Sequence, residues 1–117
     1  MTDQLCEILE SFGYPLYLHG TLEAGEAYPD SFFTYMNFST PESAFYDNAP
    51  NGAVWGYYVY FYSIDRLTAE TVSEQARQAL RDAGFTPNGR PIDARSDRGT
   101  HTGRMFTVRG YESYKEE

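Results

Sequence analysis

The chain has 117 residues, 41 % of them hydrophobic and 17 % aromatic, with eleven Tyr, one Cys and a net charge of −8. That suits one α/β domain of ordinary size with enough apolar surface to fold without staples. It excludes pervasive disorder, an internal disulfide and a multi-cysteine zinc site, and it disfavours general nucleic-acid affinity.

In chain order, residues 3–12 read as a short amphipathic helix, with Leu5, Ile8, Leu9 and Phe12 on one face. Thr2 can cap it, Asp3 suits the positive end of its dipole and Gly13 can end it. Tyr14 to His19 reads as a short strand that Pro15 confines to a sheet edge or a strand start. Residues 20–30 are acidic and turn-rich, and Phe32 to Phe38 reads as a strand. Residues 39–52 read as a long loop holding Glu42 and Asp47, with room for one helical turn at Pro41–Phe45.

Ala53 to Tyr62 is the strongest strand signal. One side carries Trp55, Tyr57, Val59 and Phe61, the other Val54, Tyr58, Tyr60 and Tyr62. Bulk on both sides predicts a central strand with a core side and a tyrosine side. Thr68 is read as the cap of a second helix over 69–83, with Val72, Ala76, Ala79, Leu80 and Ala83 as its apolar stripe. Gly84 ends it and Phe85 folds back on its last turn. The eighteen residues 86–103 read as a polar loop, Met105 to Arg109 as a last strand with Phe106 and Val108 inward, and 112–117 as a frayed tail. The expectation is a single α+β domain of order α-β-β-β-α-β. Its mainly antiparallel sheet has both helices on one face, long polar loops, and a tyrosine row left for a partner or for water.

Charge is unevenly placed. Residues 1–65 hold nine acids and no Lys or Arg, whereas residues 66–117 hold eight acids and nine bases. Either this is a solvated acidic face, or it is a subunit whose acidic and Arg-bearing sides dock head-to-tail into a ring. An acid-bearing N-terminus unlike a leader, the lone cysteine, and no apolar run near the roughly 20 residues of a membrane span predict a protein made in a reducing cytoplasm.

Chemistry-bearing motifs are scarce. No dinucleotide fingerprint, phosphate-binding loop or His-Glu-x-x-His run occurs, and the single lysine is Lys115. His19 and His101 have no ligand spacing and read as surface or loop residues, with a metal or acid–base pair as the other reading. Cys6, beside the first helix's apolar stripe, reads as a buried, inert thiol, with an activated nucleophile as the other reading. Arg90, Arg95, Arg98 and Arg104, interleaved with Asp93 and Asp97, suit an acidic protein surface better than a phosphate backbone, and a solvated loop equally well. Trp55 and Phe61 read as core, and Tyr58, Tyr60 and Tyr62 as interface.

Two stretches carry a resemblance. One runs from Tyr28-Pro29-Asp30-Ser31-Phe32-Phe33-Thr34-Tyr35-Met36-Asn37-Phe38 through Thr40-Pro41-Glu42-Ser43-Ala44-Phe45-Tyr46-Asp47-Asn48. The other is Gln78-Ala79-Leu80-Arg81-Asp82-Ala83-Gly84-Phe85, then His101-Thr102-Gly103-Arg104-Met105-Phe106-Thr107-Val108. Together they resemble the tail-terminator, tail-completion and head–tail joining proteins of long-tailed bacteriophages and prophages of Gram-positive bacteria.

The resemblance implies a non-enzymatic virion subunit, made in the host cytoplasm, that forms a ring, often a hexamer, at the head-proximal end of the tail. It needs no cofactor, membrane or nucleic acid. Its partners would be further copies, the tail-tube protein and the neck or connector proteins. Long loops, here 39–52 and 86–103, would contact neighbours. The interface candidates are Tyr58, Tyr60, Tyr62, Arg90, Arg95, Arg98, Arg104, Glu42 and Asp47. The competing expectation is a small-ligand or peptide-binding module using the aromatic sheet face.

Overall fold

The longest bulky run forms the middle of the sheet. In the computed structural model, which describes residues 2–19, 28–39, 52–96 and 99–113, strand β3 (Gly52–Ser63) lies between β2 (Ser31–Ser39) and β6 (Thr102–Ser113), antiparallel to both. β1 (Leu16–Leu18) adds parallel to β2 at one edge, where Pro15 costs no ladder bond. The far side of β6 carries two short strands, β4 (Thr86–Pro87) and β5 (Ile92–Ala94). The sheet order is β1-β2-β3-β6-β4, with β5 also on β6. The α+β architecture is as the sequence predicts.

Helices α1 (Thr2–Glu10) and α2 (Arg66–Asp82) cover one face. Leu5 and Leu9 of α1 and Ala69, Val72, Ala76 and Leu80 of α2 pack on Phe33, Tyr57, Val59, Phe61, Phe106 and Val108. The side of β3 assigned to the core is therefore the buried one. Trp55 packs partly buried against this core, its ring parallel to that of Tyr57 at 6.5 Å. The alanines of α2 have no bulk to hold it off, so the helix lies close on the sheet. Ala83, placed on this stripe by its spacing, is exposed, because the helix has already ended there.

Element boundaries shift for local reasons. Asp65, not Thr68, caps α2. It accepts from the Leu67 amide at 3.3 Å and the Thr68 hydroxyl at 2.6 Å, so the helix starts two residues before the expected cap. At the other end Gly84 adopts φ +105, the Phe85 amide reaches the Leu80 carbonyl at 3.0 Å, and the Phe85 ring is buried. Thr2 lies inside α1 and its hydroxyl meets the Tyr57 hydroxyl at 2.6 Å. α1 is shorter than predicted because residues 11–13 tighten into turns, closing on Gly13 at φ +87.

The stretch 86–103 departs most from expectation. Two strands and two arginine tethers hold much of it on the body. Arg77 of α2 donates to the Gly89 carbonyl at 2.7 Å. Arg104 of β6 donates to Asp93 at 2.6 Å and to the Pro91 carbonyl at 3.0 Å. β6 extends the predicted last strand at both ends. The loop predicted over 39–52 keeps strand residues at both ends, and its interior, with Glu42, Asp47 and the Pro41–Phe45 turn, lies outside the described residues. Of the predicted frayed tail, Glu112 and Ser113 end β6 and residues 114–117 lie outside the described residues.

Candidate functional site

Strand alternation sends the other half of the sheet's side chains away from the helices. Phe32, Thr34, Met36 and Phe38 of β2, Val54, Gly56, Tyr58, Tyr60 and Tyr62 of β3, and Gly103, Met105, Thr107, Arg109 and Tyr111 of β6 share this outer face. Arg109 is the one charged residue among them. The open side of an antiparallel sheet ordinarily alternates to polar residues. Here it is aromatic and thioether-rich on a chain of net charge −8.

Two glycines let its rings lie down. A Cβ at Gly56 would sit 2.5 Å from the Phe38 ring, so that ring rests on bare β3 backbone. A Cβ at Gly103 would sit 2.8 Å from the Ala94 carbonyl and 2.9 Å from the Tyr62 ring, so Tyr62 rests on β6. Rings link along the face: Phe38 to Tyr58 at 4.7 Å, Tyr58 to Tyr60 at 6.5 Å, Tyr60 to Tyr62 at 6.1 Å and Tyr62 to Phe32 at 5.2 Å. The Arg109 guanidinium lies over Phe38, 5.5 Å from its centroid.

The two histidines belong to this layer. The His19 ring stacks on Tyr60 at 4.4 Å and its Nδ1 is 3.1 Å from the Thr34 hydroxyl. His101 packs edge-on to Tyr28 and Phe32. Its Nε2–H donates to the Pro29 carbonyl at 2.8 Å, and Nδ1 meets the Thr100 hydroxyl at 3.0 Å. Both side chains therefore serve packing. Among the described residues no three His, Cys, Asp or Glu side chains group as a metal site.

The face has a closed end and an open end. Phe32, Thr34 and Tyr62 are buried, Tyr62 at 8 % exposure. Tyr62 is thus corrected from a partner contact to an internal one, fixed by Phe32 and Gly103. Tyr58 and Tyr60 are half-buried, Phe38 and Arg109 are exposed, and Ile92 of β5 stands beside Met105 at 59 % exposure. Burial, with a smaller contribution from Tyr58, raises the Tyr60 phenol above its usual pKa.

The arginine group divides. Arg104 is the correction: alternation places it on the helix side opposite Phe61, its side chain 21 % exposed, tied to Asp93 and the Pro91 carbonyl. Its Nε–H is buried without an acceptor, a cost that the charge-assisted bonds offset. It braces β5 and is not an open cation. Arg90 and Arg95 stand exposed at either end of β5, and Arg98 lies outside the described residues.

On the helix side, burial pushes the Cys6 thiol up. A hydrogen bond with Tyr35 opposes this and the Glu10 and Asp3 carboxylates add to it. That keeps the sulfur protonated and unreactive near neutrality. A cleft of about 170 Å³ is lined by Gln4, Ala83, Gly84, Phe85, Gly110 and Tyr111. It does not include Trp55, Tyr58 or Tyr60, and it is smaller than ordinary ligand pockets of about 300 Å³ and above. No helix among the described residues is long and apolar enough to cross a membrane.

Sequence reasoning missed the two ring-on-glycine seats and the arginine tethers. The glycines at 56 and 103 were visible in strand-like surroundings, and a glycine inside a strand is the available signal for close approach. No known protein-family model and no curated protein matches this chain.

Proposed function

We propose that this protein is a non-enzymatic structural subunit of the neck or tail of a long-tailed bacteriophage. It assembles with copies of itself into a ring that terminates the tail or joins it to the head. The observation that carries this reading is the open end of the outer sheet face, an aromatic surface on which Arg109 is the only charge among the described strand residues. Surfaces of this kind mark protein contacts, and Tyr, Met and Arg are the residues enriched there.

Two further observations support it. The exposed charges of α1 are all acidic, Asp3, Glu7 and Glu10, while Arg81, Arg90 and Arg95 are exposed elsewhere, so a head-to-tail contact has complementary charges to use. The two sequence stretches that resemble tail-terminator and joining proteins include β2 and the first seven residues of β6, Thr102 to Val108, and both strands build this face. In this reading the remaining partners are the tail-tube and connector proteins, and the mature location is the virion.

Light scattering on the purified chain, alone and with isolated tail tubes, tests the reading. The expected result is concentration-dependent assembly, or capture on tube ends. A chain that stays monomeric at every concentration and ignores tubes overturns it.

A further inference from the structure

We infer that the cleft between α1, the end of α2 and β6 binds one cationic group, the guanidinium of an arginine on a basic partner segment. The cleft follows from the topology. β4 covers β6 only at Val108 and Arg109, so Gly110 and Tyr111 have no strand on that side among the described residues. Gly84 and Gly110 line the gap and have no side chain to fill it. At about 170 Å³ the space is too small for an ordinary ligand and large enough for a single planar group.

The end of α2 offers acceptors without donors. Of the lining residues, Ala83, Gly84, Phe85 and Gly110 have no polar side-chain atom, so what they present is backbone. The amides of the turn are spent. Ala83 donates to the Ala79 and Leu80 carbonyls at 3.1 Å, Gly84 to the Arg81 carbonyl at 3.1 Å and Phe85 to the Leu80 carbonyl at 3.0 Å. That leaves carbonyl oxygens, at the negative end of a helix of 17 residues. Among the described residues nothing donates to the Ala83 carbonyl. The exposed Gln4 amide can turn its oxygen to a donor, and Tyr111, 60 % exposed at the rim, supplies a ring on which a guanidinium can stack.

Charge selects the sign of the ligand. Asp3 and Glu7 flank Gln4 on α1 and Asp82 ends α2, all three exposed, while Arg81 is the basic residue in the last turn of α2. Three carboxylates against one arginine, on a chain of net charge −8, draw cations and repel anions. A bare metal ion would lack ligands, since among the described residues no three His, Cys, Asp or Glu side chains group together. A planar guanidinium can meet several carbonyl oxygens at once. The site stands or falls independently of the phage reading.

The experiment is an amide NMR titration of the intact chain with N-acetyl-arginine amide up to about 50 mM at low salt. The comparison probes are the neutral N-acetyl-glutamine amide, free L-arginine and potassium chloride. The variants are Gln4→Lys, which sets an ammonium at the cleft, and Tyr111→Leu, which keeps bulk and loses the electron-rich ring. Both positions are exposed. Circular dichroism and melting confirm that each variant is folded, and Tyr111→Leu carries the test if Gln4→Lys is not.

The expected result is saturable shifts at the Gln4, Gly84, Phe85 and Gly110 amides with a Kd on the order of 1 mM. Gln4→Lys should weaken binding at least about tenfold and Tyr111→Leu about threefold. The neutral probe should leave these amides unmoved, and free L-arginine should bind more weakly because its carboxylate meets the acidic surround. Absence of saturation at these residues overturns the inference, as does an equal response to the neutral probe or binding indifferent to the folded variants. Shifts reproduced by potassium overturn it in favour of an inorganic ion. Tighter binding of free L-arginine overturns the assignment to a partner's side chain.

Discussion

Replacing Gly103 with Ala tests whether the rings are seated as described. The new Cβ would lie 2.8 Å from the Ala94 carbonyl oxygen and 2.9 and 3.0 Å from two Tyr62 ring carbons. Neither neighbour gives way easily. Ala94 is paired with Gly103 in the β5–β6 ladder, and Tyr62 is buried and stacked on Phe32. Overpacking of this kind costs about 1–3 kcal/mol, against a gain of about 0.5–1 kcal/mol from a less flexible unfolded chain. The net expectation is a loss of about 1–2 kcal/mol, or roughly 4–8 °C in Tm for a domain of this size.

Gly56→Ala is the sharper comparison. Its Cβ would approach Phe38 to 2.5 Å, closer than any contact at Gly103, yet Phe38 is 37 % exposed and its ring can swing outward. The shorter contact should therefore cost less, within about 0.5–1 kcal/mol of neutral. Thermal and urea melts of both variants read this ordering directly. A neutral Gly103→Ala, or a Gly56→Ala that costs more, would refute the account of which neighbours can move.

Arg104→Ala should cost about 1–2 kcal/mol and open residues 88–96 to hydrogen exchange and tryptic cleavage, since it loses two bonds and its buried stem. Asp93→Asn should cost under about 0.5 kcal/mol, because the Asp93 side chain is 89 % exposed. The Cys6, Tyr35 and Tyr60 protons are all held more tightly in the fold than in the unfolded chain. Their contribution is complete below the unfolded values of 9.0 and 10.0 and is lost as pH rises through the raised folded ones. Denaturant midpoints should therefore fall above about pH 9, and Tyr60→Phe should flatten part of that fall. Arg95→Glu with Arg98→Glu should weaken head-to-tail assembly in light scattering while leaving Tm within about 1 °C.

Much of the fold was legible because its signals are local. The alternation of Trp55, Tyr57, Val59 and Phe61 named the core side of β3, and Gly84-Phe85 named the end of α2 and its fold-back. Pro15 confined β1 to a sheet edge or a strand start, and β1 is an edge strand that begins at the next residue. What was lost depends on pairing between distant residues. Thr86–Pro87 and Ile92–Ala94 are too short to show a period, and they become strands only because β6 accepts them. Gly103 and Gly110 interrupt the alternation of β6, which made a twelve-residue strand look like five residues. Arg104 was misassigned because a charged residue ordinarily faces water, and its inward position follows from Asp93 eleven residues earlier. Tyr62 looked like its neighbours Tyr58 and Tyr60, and only the rings of Phe32 and the gap at Gly103 set it apart.

The ladder between residues 52–63 and 102–113 has a consequence for biosynthesis. β2 and β3 together carry no charged residue, and they leave the ribosome well before their partner β6. Until β6 emerges, β3 offers a long, uncharged, aromatic hydrogen-bonding edge to any other nascent chain, which is the composition that feeds fibrillar association. The C-terminal strand is thus a safety catch as well as a structural member. Polypeptides truncated ahead of Thr102 should be found in inclusion bodies even where the intact chain is recovered from the supernatant.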